Sequence, residues 1–113
     1  MKVFHSEKYS FPLPEGHRFP IEKYRLLREM LIARGILSEE ELSEPEIATR
    51  DQITLAHSEK YHDDFRDGKV DTSAIRRLGL PWSHALYIRS AYSVGGAIAS
   101  AIAALEEGIA GNL

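Results

Sequence analysis

Cysteine is absent from the 113 residues. Its absence excludes a disulfide framework, thiolate metal ligands and a cysteine nucleophile together, and it fits a reducing cytosol. Positive charge is not in excess either, because 14 Lys and Arg stand against 17 Asp and Glu, for a net charge of −3. A phosphate backbone or an anionic membrane has no electrostatic hold on such a chain, so neither nucleic acid nor membrane is expected as a partner. The apolar run from Ala91 to Leu105 is interrupted by Ser and Gly and falls short of the ~20 residues that span a bilayer. The first ten residues, MKVFHSEKYS, carry charge where a signal peptide needs an apolar core. The expected location is the cytoplasm. Internal repeats, low-complexity tracts and linkers are missing too, and the length suits a single domain.

What is present reads as a globular chain, 43% apolar and 27% charged. KVFHS predicts a first strand over residues 2–5, and the three prolines and one glycine of FPLPEGHRFP predict a constrained loop. Pro20 suits the first position of a helix in which Ile21, Tyr24, Leu27 and Leu31 recur at helical spacing, and Gly35 ends it. Ser38 and Glu41 have capping-box spacing before a short helical turn. Residues 46–49, EIAT, are a candidate second strand. Thr49 and Gln52 repeat the box ahead of a helix expected over about residues 51–67. AIRRLG predicts one more helical turn and GLPWS a second constrained loop. A long helix then runs from Ser83 or His84 to Glu107, with a strand beginning at Ile109. Gly95 and Gly96 fall in its middle, each at a cost of roughly 1 kcal/mol against Ala, so either the helix breaks or something packs very close. Beyond them AIASAIAALEEGIA offers few polar side chains, so this half is expected to be buried on most sides, with too little chain to cover it.

The search for chemistry begins with five histidines. His57 and His62 are five apart and lie on different helix faces, and His5, His17 and His84 fall in separate segments, so packing or polar roles are expected rather than a metal site. Asp63 and Asp64 are adjacent, point apart on a helix and suit a solvated face. Nothing matches G-x-S-x-G, and GGAIAS lacks the lysine of a phosphate cradle. The two Pro/Gly loops, LPEGHRFP and RRLGLPWS, carry His, Arg, Phe and Trp and could line a pocket or could be turns around a buried aromatic.

Several of these stretches coincide in one pattern: VFHSEKYSFPLPEGHRFPIEKYRLLREML, then HSEKYHDDF, then RRLGLPWSHALYIRSAYSVGGAIASAIAALEEGIAGNL. In order and spacing this resembles the N-terminal third of bacterial proteins of the histone deacetylase family, including the acetoin-utilisation and class IV-like branches. The resemblance covers nearly the whole chain and rests most on GHRFP and on GLPWS with the small-residue pattern after it. It implies an α/β fold, the N-terminal portion of an arginase-deacetylase-like parallel sheet, here mostly helical with two or three short strands, so that residues 1–113 form a single partial domain. It also implies a zinc-dependent hydrolase that deacetylates acetyl-lysine or related acylated amines, the metal polarising the acyl carbonyl and activating water. The resemblance puts the family's histidine pair, zinc ligands and oxyanion donor beyond Leu113. No catalytic or metal-binding residue is therefore carried over, and no zinc is expected on this chain alone.

What does carry over lies at the rim of the substrate channel: His17, Arg18, Phe19 and Pro20 in the first loop, Lys23 just after it, and Pro81 and Trp82 in the later loop. Ala97 departs from the family, which usually has Thr after the two glycines. The expected partner is a complementary C-terminal chain, or self-association through the face from Ala97 to Ile109. The alternative is a small helical interaction or dimerisation module without catalysis.

Overall fold

The computed structural model describes all 113 residues as an α/β arrangement built on a three-stranded parallel sheet. β1 (Lys2–Phe4) is central, flanked by β2 (Leu42–Ser43) and β3 (Ala110–Asn112). The register sets Val3 against Leu42 on one side and Gly111 on the other. Parallel strands need crossover connections. The first runs through α1 (Lys23–Ala33), and the second contains α2 (Arg50–Ile53), α3 (Glu59–Arg66), α4 (Thr72–Leu78) and α5 (His84–Glu107).

Helix starts and stops follow local chemistry. Thr49 and Gln52 form the expected capping box, the Thr49 hydroxyl accepting from the Gln52 N–H at 3.2 Å and the Gln52 side chain accepting from the Thr49 N–H at 2.9 Å. Ser58 and Ser83 cap α3 and α5 in the same sense, accepting from the Tyr61 and Leu86 N–H groups. The long helix predicted over 51–67 is two helices instead. The Ser58 cap starts a new one after α2 has ended at Ile53, which turns the chain between them. Pro20 opens a turn rather than the helix, closed by Lys23 N–H on the Pro20 carbonyl at 3.0 Å, and α1 begins at Lys23.

Residues 46–49 are not a strand. They run extended without a ladder partner, and the Ala48 N–H donates to the Ala91 carbonyl of α5 at 3.1 Å. Gly95 lies at this crossing, where a Cβ would overlap the Glu46 carbonyl oxygen. A Cβ on Gly96 would overlap the Asn112 amide. The helix is continuous, and the glycine pair makes room for the Glu46–Ala48 backbone at Gly95 and for the Asn112 side chain at Gly96.

The core is small. Val3, Phe11, Leu37, Ala48, Leu86, Ala91 and Ala103 are its buried apolar side chains, and only 13 of 113 residues are buried in all. The molecule measures 43 × 35 × 17 Å, a slab one helix and one sheet thick. Its radius of gyration, 15.5 Å, exceeds the ~13 Å that a compact domain of this length would have. Both broad faces keep apolar side chains in solvent: Leu26, Leu27 and Met30 on α1, and Ile102 and Leu105 on α5, with Ile109 just beyond it. The second half of α5 is therefore covered on one side only, against the expectation of burial on most sides. By length and composition α5 could cross a membrane. In this fold it is the helix on which the sheet packs, and it carries a buried Arg89 whose guanidinium lies over the Tyr24 ring at 4.3 Å and donates to the Ser6 carbonyl.

Candidate functional site

The two Pro/Gly loops, 62 residues apart in sequence, meet. Gly16 takes φ +73°, and the His17 N–H closes a turn on the Pro14 carbonyl at 3.0 Å, which aims the His17 ring across the surface. Its Nδ1 accepts the Phe19 N–H at 3.1 Å, so the hydrogen of the neutral ring sits on Nε2 and is donated to the Gly79 carbonyl at 3.1 Å. That carbonyl belongs to the left-handed residue ending α4, where no helical donor continues. One imidazole thus fixes its own loop and joins it to the next.

Between residues 17–20 and 78–80 this contact leaves an open cleft of about 390 Å³. Arg18 and Pro20 are exposed on its rim and Phe19 is half-buried. Lys23 stands next to it with Nζ over the Phe19 and Tyr24 rings, 5.1 and 5.0 Å from their centroids. The later loop contributes Leu80. Pro81 is exposed, and Trp82 turns away from the cleft: its Nε1–H donates to the Phe65 carbonyl at 2.6 Å and its ring lies against Gly68. Of the seven rim residues expected from the sequence, the structure gathers His17, Arg18, Phe19 and Pro20 around one cleft, sets Lys23 beside it, and gives Trp82 to the packing of α3.

The cleft holds one cation, Arg18, one imidazole committed at both nitrogens, and no carboxylate. Nor do the side chains fit a zinc ion. No three His, Asp or Glu converge on a point. His5 is bound through Nδ1 to Glu7, which also pairs with Arg28 at 2.6 Å, and both nitrogens of His62 are committed. Burial pushes the Glu7 carboxyl up, but the hydrogen bonds from His5 and Arg28 outweigh it and hold the group below its ordinary value.

A second cluster, between α3 and α5, was not legible in the sequence. His62 is buried, its Nδ1 2.9 Å from Asp63 Oδ1 and its Nε2 3.1 Å from the Tyr87 hydroxyl. Arg50 donates to both Asp63 oxygens at 2.9 and 3.0 Å. With His62 it holds that carboxyl far below the usual carboxylate range. An ionised carboxylate only accepts, so the neutral His62 ring carries its hydrogen on Nδ1, and Nε2 accepts from Tyr87. HDDF is a solvated face only in part: Asp63 is tied to Arg50 and Asp64 to Lys60, while His62 is the side chain that points inward. The available signal was its position three residues before Phe65, on the helix face that meets α5.

No protein-family model matches the chain. It is 39% identical over 110 residues to an uncharacterized protein of Picosynechococcus sp., an alignment that takes in 97% of this chain and 36% of that relative. The chain spans little more than a third of the relative's length.

Proposed function

We propose that these residues are the channel-rim portion of a zinc-dependent deacetylase-family domain, an amide hydrolase acting on acetyl-lysine or related acylated amines. In this reading the fold is an arginase-deacetylase-like parallel sheet continued by further strands, the protein is cytoplasmic, and zinc and the catalytic groups are held by residues outside these 113. The observation that carries it is the contact between His17 and Gly79. Two loops that the resemblance assigns to one channel rim are far apart in sequence, yet they are joined and share a cleft. The thin slab, its two uncovered faces and the much longer relative support a domain that extends further. Alone, the chain turns nothing over, because its cleft lacks any group that could activate water.

The test is a chimaera in which the matched segment of the Picosynechococcus relative is replaced by this chain. Zinc-dependent turnover of an acetyl-lysine peptide by the chimaera, and none by the 113 residues with zinc, is the expected result. A chimaera that folds, binds no zinc and leaves the peptide intact would sink the reading.

A second reading is an interaction module that pairs through the face from Ala97 to Ile109. It is favoured by Leu105, 88% exposed, with Ile109 at 62% and Ile102 at 54% beside it. Leaving such surface in water costs about 25 cal/mol per Å² relative to burying it. A sharply melting compact dimer with no turnover in any chimaera is the outcome that would prefer this reading.

A further inference from the structure

The cavity between α3 and α5 shares only Leu78 with the loop cleft and plays no part in the deacetylase reading. It measures about 200 Å³. Ile53, Phe65, Ala91 and Val94 give it apolar walls, and the exposed Tyr61 and Leu78 stand at its mouth. A smaller apolar cavity of ~150 Å³ is enough to hold benzene. This one accommodates a single ring with a substituent.

The polar atoms along its α5 wall belong to Tyr87 and Ser90, three residues apart on one helix face. Each has its hydrogen committed elsewhere. Tyr87 donates to His62 Nε2 at 3.1 Å, as the tautomer set by Asp63 requires, and Ser90 Oγ donates to the Leu86 carbonyl at 2.8 Å. Both oxygens therefore offer lone pairs and no hydrogen to anything in the cavity. Arg50 and Asp63 stand outside the cavity and His62 lines it; with the neutral His62 ring keeping its hydrogen on Nδ1 toward Asp63, the Tyr87 oxygen is an acceptor before any ligand arrives. A wholly apolar molecule leaves those lone pairs unpaired, and an acceptor meets them in repulsion. A donor satisfies them. The Phe65 and Tyr87 rings, 6.3 Å apart and inclined at 65° to each other, both line the cavity and give an aromatic guest ring surface to pack on.

We propose that this cavity is a binding site for a single-ring aromatic molecule bearing one O–H or N–H donor, bound with that donor on the Tyr87 oxygen. Phenol is the probe, with toluene as its shape without the oxygen and anisole as its oxygen without the hydrogen. Amide and side-chain NMR of the 113-residue chain is followed as each is added. Phenol should shift Tyr87 and Val94 saturably and bind about tenfold more tightly than toluene or anisole, the worth of one satisfied hydrogen bond. Tyr87→Phe should bring phenol down to the level of toluene and leave toluene unchanged. Val94→Phe, which fills the cavity, should abolish both. Equal binding of the three probes to the wild-type chain, shifts that map to the loop cleft, or no saturable binding overturns the proposal. The comparison of probes on the unmodified chain decides the matter even if a variant fails to fold.

Discussion

The backbone N–H of Ala48 donates to the carbonyl of Ala91 at 3.1 Å, laying an extended segment against α5 one turn from Gly95. Close approach of two backbones at this point explains Gly95, while Gly96 faces the Asn112 side chain, and the difference ranks what replacing each would do.

Gly95→Ala gains roughly 1 kcal/mol of helix propensity. Its new methyl, however, meets the Glu46 carbonyl, which is backbone and can retreat only by giving up the Ala48 to Ala91 bond. The net effect should be a loss of about 1–3 kcal/mol, in the range of overpacked sites. Gly96→Ala meets only the Asn112 side chain, which can swing aside at an exposed position, so its stability should stay within about 1 kcal/mol of wild type. Urea unfolding followed by circular dichroism separates the two. Equal midpoints for both variants would contradict the crossing.

The same crossing shows how far the sequence could be read. The glycine pair announced a close neighbour, but not which one, because the pattern of EIAT suits a strand as well as an extended segment laid on a helix. β1, the end of α1 at Gly35, the Thr49 box, α4 and the whole of α5 follow from short-range signals and are where local chemistry puts them. β2 at Leu42–Ser43 is only two residues long and is a strand solely because Val3 lies beside it, which no local pattern encodes. Likewise His17 and Gly79 each looked like loop residues; that they meet is a property of the packing of α4, not of either loop. The buried His62 was hidden by its charged neighbours, which make the segment look solvated on every side.

Asp63 makes stability depend on pH in a definite direction. Its carboxyl is depressed in the folded state by Arg50 and then by His62, relative to an ordinary value of 3.8. A depressed acid stabilises the fold while ionised, so its contribution is complete above about pH 4 and is lost as the pH falls below that. Thermal melts between pH 7 and pH 2.5 should show a decline in Tm beginning near pH 4. Asp63→Asn should start lower at neutral pH and flatten that decline. An unchanged acid limb in the variant would mean that the ion pair with Arg50 does not hold in solution.

His17→Ala removes an acceptor from the Phe19 N–H and a donor from the Gly79 carbonyl at once. Both groups are near solvent, so the stability loss should be modest, about 0.5–1.5 kcal/mol. The local loss should be larger than the global one. Amide hydrogen exchange at Phe19 should speed up well beyond the rates of α5, because the turn over residues 16–19 no longer has its internal tether. Uniform acceleration across the chain would place His17 in the global core instead of at a loop junction.

Leu105 and Ala103 lie two residues apart on α5 and should respond oppositely to the same change. Ala103 is 4% exposed against the sheet, while Leu105 is 88% exposed on the far side. Leu105→Lys takes an apolar side chain out of water without disturbing any packing, so monomer stability should change by no more than about 0.5 kcal/mol. If the face from Ala97 to Ile109 pairs with another polypeptide, the new charge would be buried without a partner there, and association should weaken by far more than stability does. Sedimentation over a range of concentrations should then show wild type associating and Leu105→Lys remaining monomeric, with melting points nearly equal. Ala103→Lys should instead unfold the chain at every concentration, because its charge would enter the interior between α5 and the sheet. Wild type that stays monomeric at high concentration would mean the exposed isoleucines and Leu105 are ordinary surface, and it would remove the interaction-module reading with them.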